Sequence, residues 1–203
     1  MDTIGFLGVP EPSAEAQQLF DEDIEELGYV MNVSRLWAYQ PAALVGLSAL
    51  LRQVSTADQL SLRQRAVLVT ACASARGDSY CSLAWGQRLA DASDARTAAG
   101  VVEGDDGGLT PGERAMAGWA RKVARDPNGT TDADVRELRD AGFTDSQIFT
   151  MTAFVALRVA FSTVNDALGL RPDAALRAAV PAPLRAAVTF GRPAEEEQPP
   201  RTG

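Results

Sequence analysis

The sequence predicts an all-α protein. Its helix starts are explicit, glycine punctuates its helix ends, and no stretch alternates apolar and polar residues long enough to argue for a sheet. Thr110-Pro111-Gly112-Glu113 shows the pattern, with a hydroxyl at the N-cap, proline at the first helical position and glutamate at N3. The hydroxyl and the glutamate satisfy backbone N–H groups that every helix start leaves without partners. Ser61 with Gln64 and Thr144 with Gln147 repeat the arrangement, and Thr131 with Asp134 is a shorter version of it. Gly77 and Gly142 read as breaks, where glycine enters the left-handed region at least cost.

Taken in order, residues 1–12 form an N-terminal arm and 13–190 a single helical domain. Helices are expected over 13–28, 41–55, 61–76, 78–91, 93–101, 111–125, 131–141, 144–168 and 173–179. Gly28 to Gln40 is a connector with aromatic anchors, and Val101 to Thr110 an acidic, glycine-rich loop expected to be mobile. From Arg192 onward nothing apolar can pack, which predicts a disordered tail over 191–203. Ile148 to Leu168 has the length of a membrane span, but Arg158, Asn165 and Asp166 interrupt it, so a buried core helix is expected and no membrane partner.

Composition narrows the chemistry. With 203 residues, 46% apolar and 23% charged, the chain suits one globular domain burying roughly 70% of its unfolded surface. The net charge is −8, and no basic run interleaves with aromatics, which argues against nucleic acid and anionic membranes as partners. Met1 to Pro10 lacks the basic and apolar regions of a secretory signal, and two cysteines make no disulfide framework, so a reducing cytoplasm is the expected setting. There is no histidine. That excludes His-ligated zinc or haem and every Ser-His or Cys-His couple. Acid–base work must fall to carboxylate, thiol, phenol or water, and no cofactor is expected. Asp105 and Asp106 lack spaced further ligands and read as a solvated loop, so no metal is expected either.

The stretch Ser61 to Leu89, SLRQRAVLVTACASARGDSYCSLAWGQRL, carries the most information. A helix runs to Gly77, and a second opens with Asp78-Ser79-Tyr80-Cys81. Upstream lies DEDIEELGYVMNVSRLWAYQ, from Asp21 to Gln40. Downstream come Asp132 to Asp145, and a long helix ending in Asp166-Ala-Leu-Gly-Leu170. These four motifs, in this order over roughly residues 18–172, resemble the carboxymuconolactone decarboxylase and alkylhydroperoxidase D-like family, in its peroxidase-related subgroup. The resemblance implies an alkylhydroperoxidase D-like helical bundle, a small-molecule substrate and a homo-oligomer, trimer or hexamer. It also implies a redox relay of glutamate, Cys-x-x-Cys and histidine, whose positions here hold Ala66, Asp78, Cys81 and Trp85. Only one relay residue, Cys81, is kept.

Each candidate residue has a structural and a functional reading. Asp78 follows a glycine break, where aspartate caps helices well, and it also stands where an acid–base or substrate-binding group belongs. Its charge should oppose a Cys81 thiolate while the helix N-terminus favours one, so the net sign is open. Cys72 reads as a small buried core residue unless its sulfur reaches Cys81. Tyr80 is either a packing residue or a hydrogen-bond donor at the pocket mouth, and Trp85 an apolar wall one turn from Cys81. Arg158 is either one half of a buried ion pair or the anchor of a substrate carboxylate or other oxyanion. The expected catalytic residues are therefore Asp78, Tyr80 and Cys81, with Trp85 and Arg158 binding substrate.

Three functions fit. The favoured one is a non-redox lyase, isomerase or cyclase-like tailoring enzyme acting on a small organic metabolite. The others are a residual single-cysteine alkyl hydroperoxide peroxidase and a catalytically silent binding or scaffold subunit.

Overall fold

The computed structural model describes residues 3–196. A short antiparallel hairpin, β1 (Thr3–Ile4) and β2 (Leu7–Gly8), precedes α1 (Ala14–Leu27), α2 (Asn32–Trp37) and α3 (Pro41–Ala57). The central run is α4 (Leu62–Arg76), α5 (Ser79–Asp91), α6 (Ala95–Glu103) and α7 (Pro111–Arg125), followed by α8 (Asp132–Asp140) and α9 (Asp145–Ala167). Two six-residue helices, α10 (Ala174–Ala179) and α11 (Ala182–Ala187), close the chain.

The capping boxes at Ser61, Thr110, Thr131 and Thr144 all form, each with side-chain oxygen on the N3 amide and N3 side chain on the cap amide. They fix where α4, α7, α8 and α9 begin. From Ala66 to Ala73 every residue of α4 is buried, so this helix is the axis of the bundle. The helices α5, α6, α7, α9 and α11 pack around it, with Leu68, Leu89, Val101, Met116, Met151 and Leu184 in the interior. A second, smaller core joins Ile4, Val33, Leu36, Tyr80 and Leu170.

Gly77 turns α4 into α5 within one residue. It sits at φ +74°, its N–H and that of Asp78 bond the carbonyls of Ser74 and Ala73, and Asp78 at once caps the next helix. This hand-over aims the first turn of α5 at the middle of α9.

Several expectations need correcting. The connector from Gly28 to Gln40 contains α2, and the arm over 1–12 holds the hairpin, whose Ile4 is buried. The acidic loop begins later, because α6 runs to Glu103, and it is pinned: Arg121 grips both carboxylate oxygens of Asp106 at 2.7 and 2.8 Å. Asp106 is therefore an ion-pair partner rather than a solvated loop residue. The helix α11 went unforeseen. Residues 191–196 are not a free tail: Arg171 donates to the carbonyls of Pro193 and Ala194, Glu195 N–H to Pro172, and Ser79 Oγ to Arg192. Gly191, at φ +71°, has room for no Cβ, which would stand 2.5 Å from the Gly77 carbonyl oxygen. The rest of the expected tail, 197–203, lies outside the described residues.

The long helix α9 is long and apolar enough to cross a membrane, yet one face, from Ile148 through Met151, Phe154 and Val155, sits in the core as expected.

Candidate functional site

Two helices meet at the site. The first turn of α5 brings Asp78 and Cys81, and the middle of α9 brings Arg158 and Ser162, which stand one turn apart on its buried face. Asp78 is fully buried, and Cys81 and Ser162 are nearly so. The carboxylate of Asp78 divides its work. One oxygen accepts the Cys81 backbone N–H at 2.9 Å, the N-cap bond the sequence predicts, and the other accepts the Ser162 hydroxyl at 2.5 Å. Capping and a site role coincide in one side chain.

The Cys81 sulfur faces α9, 3.3 Å from Arg158 Nη2 and 3.8 Å from Ser162 Oγ. A serine hydroxyl carries one proton, and the short bond commits it to Asp78. Its lone pairs are left to accept the Cys81 S–H. The order is therefore thiol, hydroxyl, carboxylate: Cys81 to Ser162 to Asp78. Burial pushes the Cys81 thiol well above its ordinary range and the Asp78 charge adds to that, while the Arg158 guanidinium pulls the other way. The resting sulfur is a thiol.

Arg158 is 8% exposed, and among the described residues no carboxylate pairs with it. The ion-pair reading is thus set aside. Its guanidinium carbon stands over Phe161 at 4.8 Å and Trp85 at 5.1 Å from the ring centres, and its Nε has no hydrogen-bond partner. Trp85 is half-buried beside the cluster, where an apolar wall was expected, and Arg88 covers it 4.7 Å from the ring centre. Phe161 stacks on Trp37, whose indole N–H donates to Asn165 Oδ1 at 2.8 Å.

Tyr80 is not part of this arrangement. A helix turns about 100° per residue, so the neighbour of Cys81 looks elsewhere. Tyr80 lies in the second core and donates to Asp173 Oδ2 at 2.7 Å, while Asp173 Oδ1 accepts the Asn32 N–H at 2.8 Å. Burial, then the charge of Asp173, pushes the phenol well above its usual value. Tyr80 stands in the second core, away from the Cys81 cluster, with its hydroxyl committed to Asp173. Cys72 is a buried free thiol pushed up to about 11 by burial, and Cys81 is free as well. Among the described residues, no group of three or more acidic or cysteine side chains is placed to hold a metal.

Sequence reasoning missed Ser162, Phe161 and Trp37. For Ser162 a signal existed: Arg158, Ser162 and Asn165 fall at i, i+4 and i+7 of an otherwise apolar helix, one polar stripe aimed inward.

The bundle is shared with solved structures. An alkylhydroperoxidase AhpD core protein from Ralstonia eutropha JMP134, itself an uncharacterized peroxidase-related protein, superposes with a TM-score of 0.75 at 24% identity. The match covers 87% of this chain and 96% of that one. This is the alkylhydroperoxidase D-like fold. A peroxidase-related protein from Silicibacter sp. TM1040 has the same fold, with TM-score 0.75, 24% identity, and coverage of 85% of this chain and 94% of that one. So does the debrominase Bmp8, with TM-score 0.67, 16% identity, and coverage of 86% and 92%. A cysteine-to-alanine form of Bmp8 is known in complex with 2,3,4-tribromopyrrole. No protein-family model matches the chain, and no curated protein matches it in sequence. The alkylhydroperoxidase D-like scaffold here carries Asp78, Cys81, Arg158 and Ser162 at its helix junction.

Proposed function

We propose that this alkylhydroperoxidase D-like protein is a non-redox enzyme that moves a proton on a small organic metabolite, as a lyase or isomerase does. The observation that carries this reading is the chain from Cys81 through Ser162 to Asp78 beside an arginine without a carboxylate partner. A protonated thiol in a dry site is a general acid. When Cys81 gives its proton to a substrate atom, the thiolate left behind faces Arg158 Nη2, which stabilises it as the charge develops. The thiolate regains its proton by taking one from another carbon of the substrate, as an isomerisation requires, or from water as product leaves, while Asp78 stays a carboxylate and holds the Ser162 hydroxyl in place. Cys81 handles the proton, Asp78 orients Ser162, Ser162 positions the thiol, and Trp85 with Arg158 receives the substrate.

A second reading is thiol chemistry at Cys81, as in a single-cysteine alkyl hydroperoxide peroxidase. Two observations favour it: the guanidinium beside the sulfur, and the shared fold with a debrominase. Against it stand the burial of Cys81 and the Asp78 charge, both of which keep the sulfur protonated, whereas the thiolate is the nucleophile. Stopped-flow mixing with an alkyl hydroperoxide, with trapping of Cys81 sulfenic acid, separates the two. Oxidation no faster than that of a free cysteine is expected. Rapid oxidation turned over by added thiol, and abolished by Cys81→Ser, would replace the proton-transfer enzyme with a peroxidase.

We further propose assembly into a homo-oligomer. The 17-residue helix α3 buries only Ser55, and it leaves Val45 54% and Leu50 43% exposed, while α1, which packs on α3, leaves Ile24 and Leu27 exposed.

A further inference from the structure

Two guanidinium groups press on one indole. Arg88 and Arg158 both stand over Trp85, and among the described residues neither is paired with a carboxylate. Burial, then the like charge of Arg158, holds Arg88 below its ordinary value, with Glu26 pulling the other way. Among the described residues, Asp78 and Glu26 act on the cluster only from beyond ion-pair distance, and neither guanidinium has a carboxylate in contact.

Geometry says where an anion would sit. The contacts with Trp85 and Phe161 set the Arg158 guanidinium carbon over both rings and use none of its N–H groups in a hydrogen bond to a protein acceptor. On that edge Nη2 reaches the Cys81 sulfur, and Nε is buried without a partner. Nε and Nη2 form the side fork of a guanidinium, whose spacing matches the two oxygens of a carboxylate. Nη2 carries two N–H groups, so it can serve Cys81 and a ligand oxygen together.

We propose that this edge of Arg158 is the seat of a carboxylate, and that the ligand is an aromatic carboxylate. A carboxylate lying in the plane of the fork continues into a body flanked by Trp85 and Phe161, with Trp37 stacked beyond Phe161. Rings of this kind favour a flat, conjugated partner over a puckered one. Trp85, half-buried beneath the Arg88 guanidinium, is the outer wall that the ligand must pass. Bound this way, the carbon next to the carboxylate lies beside the Cys81 thiol. The inference deepens the proton-transfer reading and rests on it for its purpose, but the binding itself needs no turnover.

Titration calorimetry of the full chain with benzoate, benzamide and cyclohexanecarboxylate tests it. Benzoate should bind at least tenfold more tightly than the neutral amide or the puckered acid. Arg158→Lys, which keeps the charge and loses the fork, should weaken benzoate at least tenfold. Absence of benzoate binding to the wild type overturns the proposal. So does equal binding of benzamide, and so does full affinity in Arg158→Lys. Cyclohexanecarboxylate binding as tightly as benzoate overturns the aromatic body. These readouts on the wild type need no variant to fold. They are also independent of the hydroperoxide assay, so the carboxylate seat and the proton-transfer reading can fail separately.

Discussion

Ser162 of α9 donates its hydroxyl to Asp78 at the start of α5 at 2.5 Å, across 84 residues of chain. The bond ties the helix that carries the thiol to the helix that carries the arginine. It also commits the one proton Ser162 has to give, which leaves its lone pairs to accept from Cys81.

Cys81 reactivity should report the two opposing charges. In a Cys72→Ala background, labelling of Cys81 by a disulfide reagent at neutral pH should be slow and should rise only under strongly alkaline conditions. Asp78→Asn removes the negative charge and keeps a capping oxygen, so it should shift that profile to lower pH. Arg158→Met should shift it higher. Identical profiles in all three proteins would discard the electrostatic account of the site.

Ser162→Ala should cost stability rather than be silent. It strips a hydrogen-bond donor from a fully buried carboxylate, a loss of about 1–3 kcal/mol, read as a lower urea midpoint at unchanged slope. Ser162→Thr, which retains the hydroxyl, should recover part of it.

The pH dependence of stability should carry the mark of Asp166. Burial, then the charge of Asp78, pushes this carboxyl up to about 6. A raised carboxyl holds its proton more tightly in the folded chain than in the unfolded one. Its contribution to stability is therefore present at pH 4 and is lost as pH climbs through about 6. Asp166→Asn should become progressively more stable relative to wild type between pH 4 and pH 7, measured by urea unfolding at each pH. A constant difference would count against the shift.

Val45→Glu tests the oligomer. Placing charge on the exposed face of α3 should lower the mass measured by light scattering without changing the helical circular dichroism spectrum. An unchanged mass would locate the interface elsewhere, or show that the chain is a monomer.

Most of the fold was legible because capping is local. A hydroxyl and the residue three positions on are enough to start α4, α7, α8 and α9, and both are visible in the sequence. The helices that were missed lack that signal. Met31 caps α2 with no side-chain bond, and α11 begins after Pro181 with none either. The docked segment 191–196 was illegible for another reason. It is held by carbonyls meeting Ser79 and Arg171, and hydrogen bonds to a backbone leave no trace in side-chain composition.

The site was half legible. Asp78, Cys81, Trp85 and Arg158 do converge, because the glycine break fixed the start of α5 and the lone arginine stood out in an apolar helix. Helix rotation sets Tyr80 apart from them, against Asp173. The balance at Cys81 escaped because sequence showed only the local contest between helix start and neighbouring carboxylate. Burial is the larger effect, and it comes from helices far away in the chain.

The bond from Ser79 to the Arg192 carbonyl spans 113 residues, and Ser79 immediately follows Asp78. During synthesis α4, α5 and α6 can pack long before Arg192 has been made. The start of α5 therefore waits, without its last restraint, until the far end of the domain leaves the ribosome. The geometry around Asp78 and Cys81 would then be among the last features of the nascent chain to mature.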